Sequence, residues 1–436
     1  MNKVLASELG FLGINVDSNF DLAWLKTEVA DKIREGDITS IYKLINFARH
    51  SEDPAIRDYA VKIEHIYQDR VDAYEQFPVK EKKAEDKIQY EEASTVEEVE
   101  EILNGENSEV AVEITEDLNL ESGKSIIIKS GKKATVKVDG NIDCVSQAFV
   151  VEDGGELILK GDGIISTNTK KGQAAISASG ANAKVTIDGV TIDSFTKQGK
   201  SGNEAYGIYL SNDASLDFKS GKILTAYGSC IGTNNTTGGN TEINISGGEL
   251  YSDGSYAIYL PAQGTVNITG GTIQGINARM GVFNISGNAN IIPTTIEAGS
   301  CDDIGKEFKT SGCVWLGDTI AVMAGTYTDT DGTDCEINVG GNAKVNSNFR
   351  SAIGIYSVDI KSDQNVIVSV ENGDNVKTTD AAFEDIKIYD HAYITEAATA
   401  QGKEYAPTAE SNIVAKVAGQ IIYPINNSEE APQDNG

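Results

Sequence analysis

The sequence LILKGDGI at residues 157–164 introduces a phrase that recurs through the middle of the chain. Each copy holds an apolar residue, a polar residue, a second apolar residue, a corner that contains glycine, and a second short strand. Further copies are VTIDGVTI at 185–192, LDFKSGKI at 216–223, INISGGEL at 243–250, VNITGGTI at 266–273, FNISGNANI at 283–291 and INVGGNAKV at 337–345. A fixed phrase at variable spacing predicts a solenoid whose coils are joined by loops of different length.

Within each copy, the alternation of apolar and polar residues predicts a strand with one buried face, and the glycine permits the turn into the next strand. No helical segment interrupts the phrase, so we expect neighbouring coils to stack as parallel strands. The pattern resembles the right-handed parallel β-helix of the pectin-lyase-like superfamily, which is shared by polysaccharide lyases, bacteriophage tailspikes and fibres, and bacterial adhesins. The resemblance implies an architecture and leaves the function open, because this fold carries unrelated activities.

Composition and periodicity divide the chain into five predicted segments. They are a helical anchoring module at residues 1–78, a charged linker at 79–93, the parallel β-helix at 94–375, a C-terminal cap or small β module at 376–426, and a disordered tail at 427–436. In the first, Asp53 and Pro54 form an N-cap followed by a proline at the first helical position. Ser94 and Glu97 form a capping-box pattern that predicts a short helix ending at Leu103. The predicted fold class is therefore mainly β with a small helical module.

The charge of the chain excludes some partners. Its net charge is −30 and its pI about 4.4, so the surface repels nucleic acid and anionic membranes. No apolar run approaches the ~20 residues needed to cross a bilayer, and no signal peptide is evident near the start of the sequence. Five cysteines without a C-x-x-C pair favour reduced thiols. We therefore expect synthesis in a host cytoplasm without membrane insertion.

Few residue combinations suggest catalysis. The chain has three histidines, too few around the solenoid for a Ser/His/Asp set or a histidine-rich zinc cluster. Asp302 and Asp303, in the irregular region at 293–312, are the candidate catalytic pair, by analogy with the paired carboxylates of β-helix glycosidases. The N-T-D, G-H-G and R-I-K motifs of polygalacturonase-like families do not occur, and a solvated acidic loop is the favoured interpretation. We predict no cofactor and no metal site.

Asparagine recurs at one place of the repeated phrase. Asn244, Asn267, Asn284 and Asn338 share one position of the phrase, and the first three also match the N-x-[ST] glycosylation pattern. Because equivalent asparagines on successive coils can exchange side-chain hydrogen bonds, we predict a structural role for them.

Tyrosines recur on another strand. Tyr209, Tyr259 and Tyr356 follow Ile208, Ile258 and Ile355, which we align, so the three rings are expected to face outward in a row. Such a row could stack on sugar rings, contact another subunit, or reflect only the strand propensity of tyrosine. The sequence leaves these alternatives open.

The modular order favours a non-enzymatic structural protein of a virus particle, such as a phage head fibre, capsid decoration or tailspike. In this hypothesis the N-terminal helices bind a capsid or tail protein through Trp24, Leu25 and Phe47, and the shaft projects from the virion surface. A homo-oligomer such as a trimer, and a cell-surface glycan as ligand, are the further expected partners. A polysaccharide lyase or glycoside hydrolase of the β-helix type, and a bacterial surface adhesin, are the alternatives.

Overall fold

The structure, a computed structural model, divides into two compact units, Met1–Ile88 and Gln89–Gly436, which are described separately. The first unit is described at residues 22, 24–25, 29, 44–45, 48, 51, 53–57, 59–60 and 88. The second is described at residues 89–423 except 122, 168–173, 195–205, 226–227, 234–239, 253–255, 262, 294–320, 325–333, 348–350, 357–364, 380, 382 and 390–411.

The described residues of the first unit are mostly helical. Asp53 caps the helix that begins at Pro54, because its Oδ1 accepts a hydrogen bond from the backbone N–H of Ala55 at 2.8 Å. This cap confirms the sequence prediction. The apolar residues buried in this unit are Leu25, Val29, Leu44, Ile45, Ala48, Ile56 and Ala60.

The second unit is mainly β and contains one described α-helix, α1 (Val96–Asn104). Its N-cap is Thr95, whose side chain accepts from the backbone N–H of Glu98 at 3.2 Å, while Glu98 Oε2 accepts from the backbone N–H of Ser94 at 2.8 Å. The N-cap is therefore Thr95, one residue after the predicted Ser94, and Glu98, not the predicted Glu97, bonds back to the backbone N–H of Ser94. The helix buries Val99 and Leu103 and ends at Asn104.

Three ladders of parallel strands form the body of this unit. The first ladder contains twelve described parallel strands and one antiparallel strand at its end. Its strands are β1 (Glu91–Ala93), β2 (Glu109–Ile114), β5 (Lys133–Val138), β8 (Glu156–Lys160), β11 (Lys184–Asp193), β13 (Ser215–Thr225), β15 (Thr241–Ile245), β18 (Gly264–Ile268), β21 (Gly281–Ile285), β24 (Cys335–Val339), β27 (Asn365–Val370), β30 (Asn412–Val417) and the antiparallel β31 (Gln420–Tyr423).

The second ladder includes the C-terminal halves of β11 and β13, which are long enough to take part in both ladders. Its remaining described strands are β3 (Leu118–Leu120), β6 (Ile142–Cys144), β9 (Ile164–Thr167), β16 (Glu249–Ser252), β19 (Thr272–Gln274), β22 (Asn290–Ile292), β25 (Lys344–Ser347) and β28 (Val376–Thr378). A 3₁₀ turn at Gly373–Asn375 precedes β28.

The third ladder is a separate sheet of ten described strands. They are β4 (Ile126–Ile128), β7 (Phe149–Val151), β10 (Ala174–Ser179), β12 (Tyr206–Ser211), β14 (Ile231–Thr233), β17 (Ile258–Leu260), β20 (Ile276–Ala278), β23 (Val322–Ala324), β26 (Ile353–Tyr356) and β29 (Ile386–Tyr389).

Successive strands along the chain belong to the first, second and third ladder in order. Each new coil pairs its strands with those of the preceding coil. Long parallel sheets of this kind are compatible with the predicted solenoid-like fold. The ladders extend beyond the predicted limits of 94–375, since β1 begins at Glu91 and β28, β29 and β30 continue the parallel pairing to Val417.

Residues that pair across successive strands form columns, and the inward columns are apolar. One column of the third ladder runs from Ile126 through Phe149, Ile176, Ile208, Ile231, Ile258, Ile276, Val322, Ile353 and Ile386. All ten side chains are buried. Burying a side chain of this size stabilises the fold by about 1.5–3 kcal/mol relative to its exposure.

The corner within β11 and β13 depends on glycine. Gly189 has φ 126° and Gly221 has φ 109°, a region that disfavours residues with a Cβ. A Cβ at Gly221 would also lie 2.3 Å from the carbonyl oxygen of Val190. The corners of successive coils therefore approach too closely to admit a side chain.

Candidate functional site

The outward column of the first ladder holds the four aligned asparagines. Asn244, Asn267, Asn284 and Asn338 pair directly across β15, β18, β21 and β24. The Nδ2 of Asn267 donates to Oδ1 of Asn244 at 2.9 Å, Asn284 donates to Asn267 at 2.9 Å, and Asn338 donates to Asn284 at 3.1 Å. All four side chains are partly buried. The structure thus brings the predicted asparagines together as a continuous column of amides.

The column ends on a carboxylate at its N-terminal side. Asp217 occupies the preceding position of the column, and its Oδ1 accepts from Asn244 Nδ2 at 3.0 Å. Its other oxygen, Oδ2, lies 3.2 Å from Lys184 Nζ. At two levels a glutamate on the same strand also accepts from the amide, since Glu242 bonds Asn244 at 3.1 Å and Glu336 bonds Asn338 at 2.9 Å. Every donor bond between asparagines in the column points toward the N-terminal coils.

These hydrogen bonds between coils agree with the structural role predicted for the asparagines. Each hydrogen bond between neutral amides contributes about 0.5–1.5 kcal/mol to the stability of the fold. In the column, the amide of one coil is the hydrogen-bond partner of the amide in the next coil. The Nδ2 of Asn244 donates to both Asp217 and Glu242, so a glycan on that amide would replace a hydrogen that donates within the column. The amides therefore connect the coils to one another and are not arranged around a ligand.

An open concavity of about 520 Å³ lies at the C-terminal end of this column. Its polar lining includes Asn338, Ser286, Ser369, Glu371 and Lys416. Glu371 Oε2 already accepts from the backbone N–H of Gly341 at 2.7 Å. The concavity lies on the flank of the first ladder and is also lined by Ile285, Val339 and Val370.

A second candidate surface lies on the third ladder. Tyr209 and Tyr259 occupy one column, separated by Gly232, and Asn277 follows Tyr259 in the same column. Both tyrosines are partly buried and alternate with buried apolar neighbours, so they lie on the outward side of their strands. The predicted alignment of Ile208 with Ile258 is confirmed by this register.

Further residues surround this tyrosine pair. The ring of Tyr206 lies 5.1 Å from that of Tyr209, centroid to centroid, at an interplanar angle of 41°. It also covers Gly232, where an added Cβ would meet two of its ring carbons at 2.5 Å. Arg279 lies over the ring of Tyr259, with Cζ 4.6 Å from the centroid. Such an arrangement attracts the cation to the ring face.

We call Tyr206, Tyr209, Tyr259, Asn277 and Arg279 the tyrosine cluster. Sequence reasoning missed Tyr206, Asn277 and Arg279 as members. The repeated A-Y-G-I-Y-L and S-Y-A-I-Y-L segments signalled the aromatic positions, but the contributions of β14 and β20 depend on register between distant segments.

Tyr356 does not share the column of the other two tyrosines. Ile353, and not the predicted Ile355, continues the column of Ile208 and Ile258, so Gly354 takes the position that follows. Tyr356 pairs instead with Tyr389, two positions further along the strand. The predicted alignment of Ile355 was wrong because I-G-I-Y offers two isoleucines and the sequence alone does not choose between them.

The remaining predicted site residues are distributed as follows. Leu25 is buried in the first unit at 1% exposure and Trp24 is partly buried, whereas Phe47 lies outside the described residues. The catalytic candidates Asp302 and Asp303 also lie outside them. Their proposed roles remain predictions.

The described cysteines, Cys144, Cys230 and Cys335, are all buried. Burial raises the pKa of the Cys230 thiol to about 12. Within the described parts of the chain, no group of three or more histidine, cysteine, aspartate or glutamate side chains is placed to hold a metal ion. Among the same residues, no helix has the length and apolar character required to span a membrane.

Comparison of the chain with protein-family models, with curated proteins and with solved structures found no match.

Proposed function

We propose that the chain is a non-enzymatic structural protein of a virus particle, of the head-fibre, capsid-decoration or tailspike type. In this proposal the parallel ladders belong to a right-handed β-helix like that of the pectin-lyase-like superfamily. The helical residues near the N-terminus bind a capsid or tail protein, with Trp24 and Phe47 as anchoring residues and Leu25, which is 1% exposed, supporting them from the core. The body projects from the virion surface as a homo-oligomer, with a trimer as the expected form.

The observation that carries this proposal is the continuity of the first ladder. Twelve parallel strands follow one another from β1 to β30, which at ~4.8 Å per strand corresponds to a length of roughly 50 Å. The asparagine column adds side-chain bonds between successive coils of this ladder. A long element whose polar groups bond to one another favours a load-carrying or spacing role.

The separation of the chain into two compact units supports the modular part of the proposal. Met1–Ile88 and Gln89–Gly436 each form their own set of contacts. A small helical unit of this size gains stability from docking on a partner, because it has a limited core. Attachment through one unit and projection of the other is the simplest use of this division.

The decisive experiment is to locate the chain in purified particles. Particles from an infected culture are separated on a density gradient, washed in high salt and analysed by mass spectrometry, with gold-labelled antibody to the chain for microscopy. We expect the chain at a fixed stoichiometry with the capsid or tail proteins. Recovery only in cell envelopes would contradict the proposal and favour an adhesin.

The anchoring part is tested separately by the Trp24→Ala variant of the full chain. We expect the variant to remain folded and soluble but to be reduced on particles assembled in its presence. The Ile127→Ala variant serves as the control, because Ile127 is 43% exposed and belongs to the second unit. Equal incorporation of both variants would refute the anchoring role of Trp24.

A further inference from the structure

We propose that the tyrosine cluster is a carbohydrate-binding site on the outward face of the third ladder. The inference deepens the proposed attachment role and rests on it for its biological meaning, but the binding itself is a property of the isolated chain. The site spans β12, β14, β17 and β20 and takes a sugar unit of a surface polysaccharide as its ligand.

The rings supply the stacking surface. Tyr209 and Tyr259 occupy one column two strands apart, and the ring of Tyr206 lies above Gly232 between them. The negative face of an aromatic ring attracts the polarised C–H groups of a pyranose ring, and tyrosine adds a hydroxyl at the edge. Three rings from two strands therefore form an aromatic surface on one flank.

Asn277 supplies an independent sign of a ligand. Its side chain is 3% exposed, and its Oδ1 accepts no hydrogen bond within the described structure. It lies directly beside Tyr259 in the column. A buried acceptor without a donor costs about 1–3 kcal/mol, and a sugar hydroxyl that donates to this oxygen would remove that cost.

Arg279 fixes one side of the site. Its guanidinium lies over Tyr259 at 4.6 Å and the residue is 9% exposed, so the ring and the cation hold each other in place. Arginine donates to hydroxyl oxygens and, in a bidentate manner, to carboxylates. In a chain of net charge −30, this buried cation provides local attraction for an acidic sugar.

The composition of the column favours a sugar over a second protein subunit. From Ser177 through Tyr209, Gly232 and Tyr259 to Asn277 the column has no aliphatic side chain, and its aliphatic members Ile127 and Val150 lie further toward the N-terminal coils. A stable protein interface buries about 800 Å² on each partner and has an apolar core. Aromatic rings flanked by amide and guanidinium groups suit the mixed C–H and hydroxyl surface of a sugar.

The test applies the full-length chain to an array of immobilised oligosaccharides that contain neutral, amino and uronic-acid sugars. The best-bound oligosaccharide is then titrated by calorimetry against four variants. We expect Tyr259→Ala and Asn277→Ala each to weaken binding about tenfold, and Tyr259→Phe, which keeps the ring, to change it by less than about threefold. Ile127→Ala, an outward residue of the same ladder in β4, should bind as the wild type does.

Thermal unfolding of each variant shows whether it is folded, and Asn277→Ala keeps the test valid if Tyr259→Ala does not fold. Absence of binding to every sugar on the array would overturn the proposal, as would equal affinity of folded Tyr259→Ala and Ile127→Ala. Sedimentation that shows an oligomer dissociating in Tyr259→Ala, without sugar binding by the wild type, would assign the cluster to subunit contact instead. Sugar binding by a chain that is absent from particles would refute the virion proposal and leave the site intact.

Discussion

The Nδ2 of Asn284 donates to Oδ1 of Asn267 at 2.9 Å, although the two residues are 17 positions apart in the chain. Asn267 in turn donates to Asn244 at 2.9 Å, so its amide group gives one bond and receives one. A side chain in the middle of such a column is connected to both neighbouring coils. The hydrogen bonds of the column therefore stabilise neighbouring coils only when their strands are paired in this register.

Replacing Asn267 by alanine should destabilise the second unit by about 1–3 kcal/mol. The substitution removes both amide bonds and leaves the Nδ2 of Asn284 and the Oδ1 of Asn244 without these partners. The measurement is the thermal unfolding midpoint, followed by circular dichroism. Asn119→Ala is the matched control, because Asn119 is an exposed asparagine on β3. Equal midpoints for the two variants would show that the column contributes nothing to stability.

Alanine at Gly221 should lower the unfolding midpoint more than alanine at Gly123. Both glycines have positive φ, 109° and 83°, so both substitutions strain the backbone by about 1 kcal/mol. Only Gly221 also meets a neighbouring carbonyl, since its added Cβ would lie 2.3 Å from Val190 O, whereas nothing lies within 4 Å at Gly123. The difference between the two midpoints thus isolates the contact between coils. A similar loss at both sites would mean that the corner can relax.

The repeated phrase was sufficient to predict parallel stacking and the asparagine column, because both depend on residues that return at the same place in every coil. Ile243, Asn244 and Ile245 carry the inward, outward and inward pattern within a single strand. Equivalent residues then meet their counterparts whatever the length of the loop between them. Local periodicity was the only information needed.

The tyrosine cluster was only partly predictable because it depends on register between strands that share no phrase. Arg279, directly after β20, lies over Tyr259, and the I-N-A segment of β20 does not resemble the segments that contain the tyrosines. The predicted position of Tyr356 was wrong for the same reason. The sequence offered two isoleucines for the column, and choosing Ile355 over Ile353 shifted the predicted register by two residues. Contacts between unlike segments follow from the pairing of the ladders and not from the repeat.

Alanine at Ile231 should cost about 2–5 kcal/mol, whereas alanine at Ile127 should cost far less. Both isoleucines belong to the third ladder, but Ile231 is fully buried in its inward column and Ile127 is 43% exposed on the outward side. The cost at Ile231 includes the lost burial and the cavity that remains. Urea unfolding of the two variants measures the difference. Comparable losses would contradict the assignment of inward and outward faces.

The thiol of Cys230 should be inert in the folded chain at pH 8. Burial raises its pKa to about 12, which outweighs the opposing hydrogen bonds with Thr225 and the backbone of Tyr251. Because the thiolate is the reactive form, iodoacetamide should label Cys230 only after unfolding in urea. Peptide mapping by mass spectrometry locates the label.

The same shift predicts the direction of a pH effect on stability. An unfolded cysteine has a pKa of about 8.5, so above that pH the unfolded state loses the proton that the folded state retains up to about pH 12. The contribution of Cys230 to the free energy of unfolding is therefore fully present below about pH 8.5, and it declines as the pH rises toward 12. The measurement compares urea unfolding of the wild type and Cys230→Ala at pH 7.5 and pH 10, as the variant lacks this decline. An identical pH dependence in both proteins, or labelling of native Cys230 within minutes at pH 8, would show that the thiol is accessible to water.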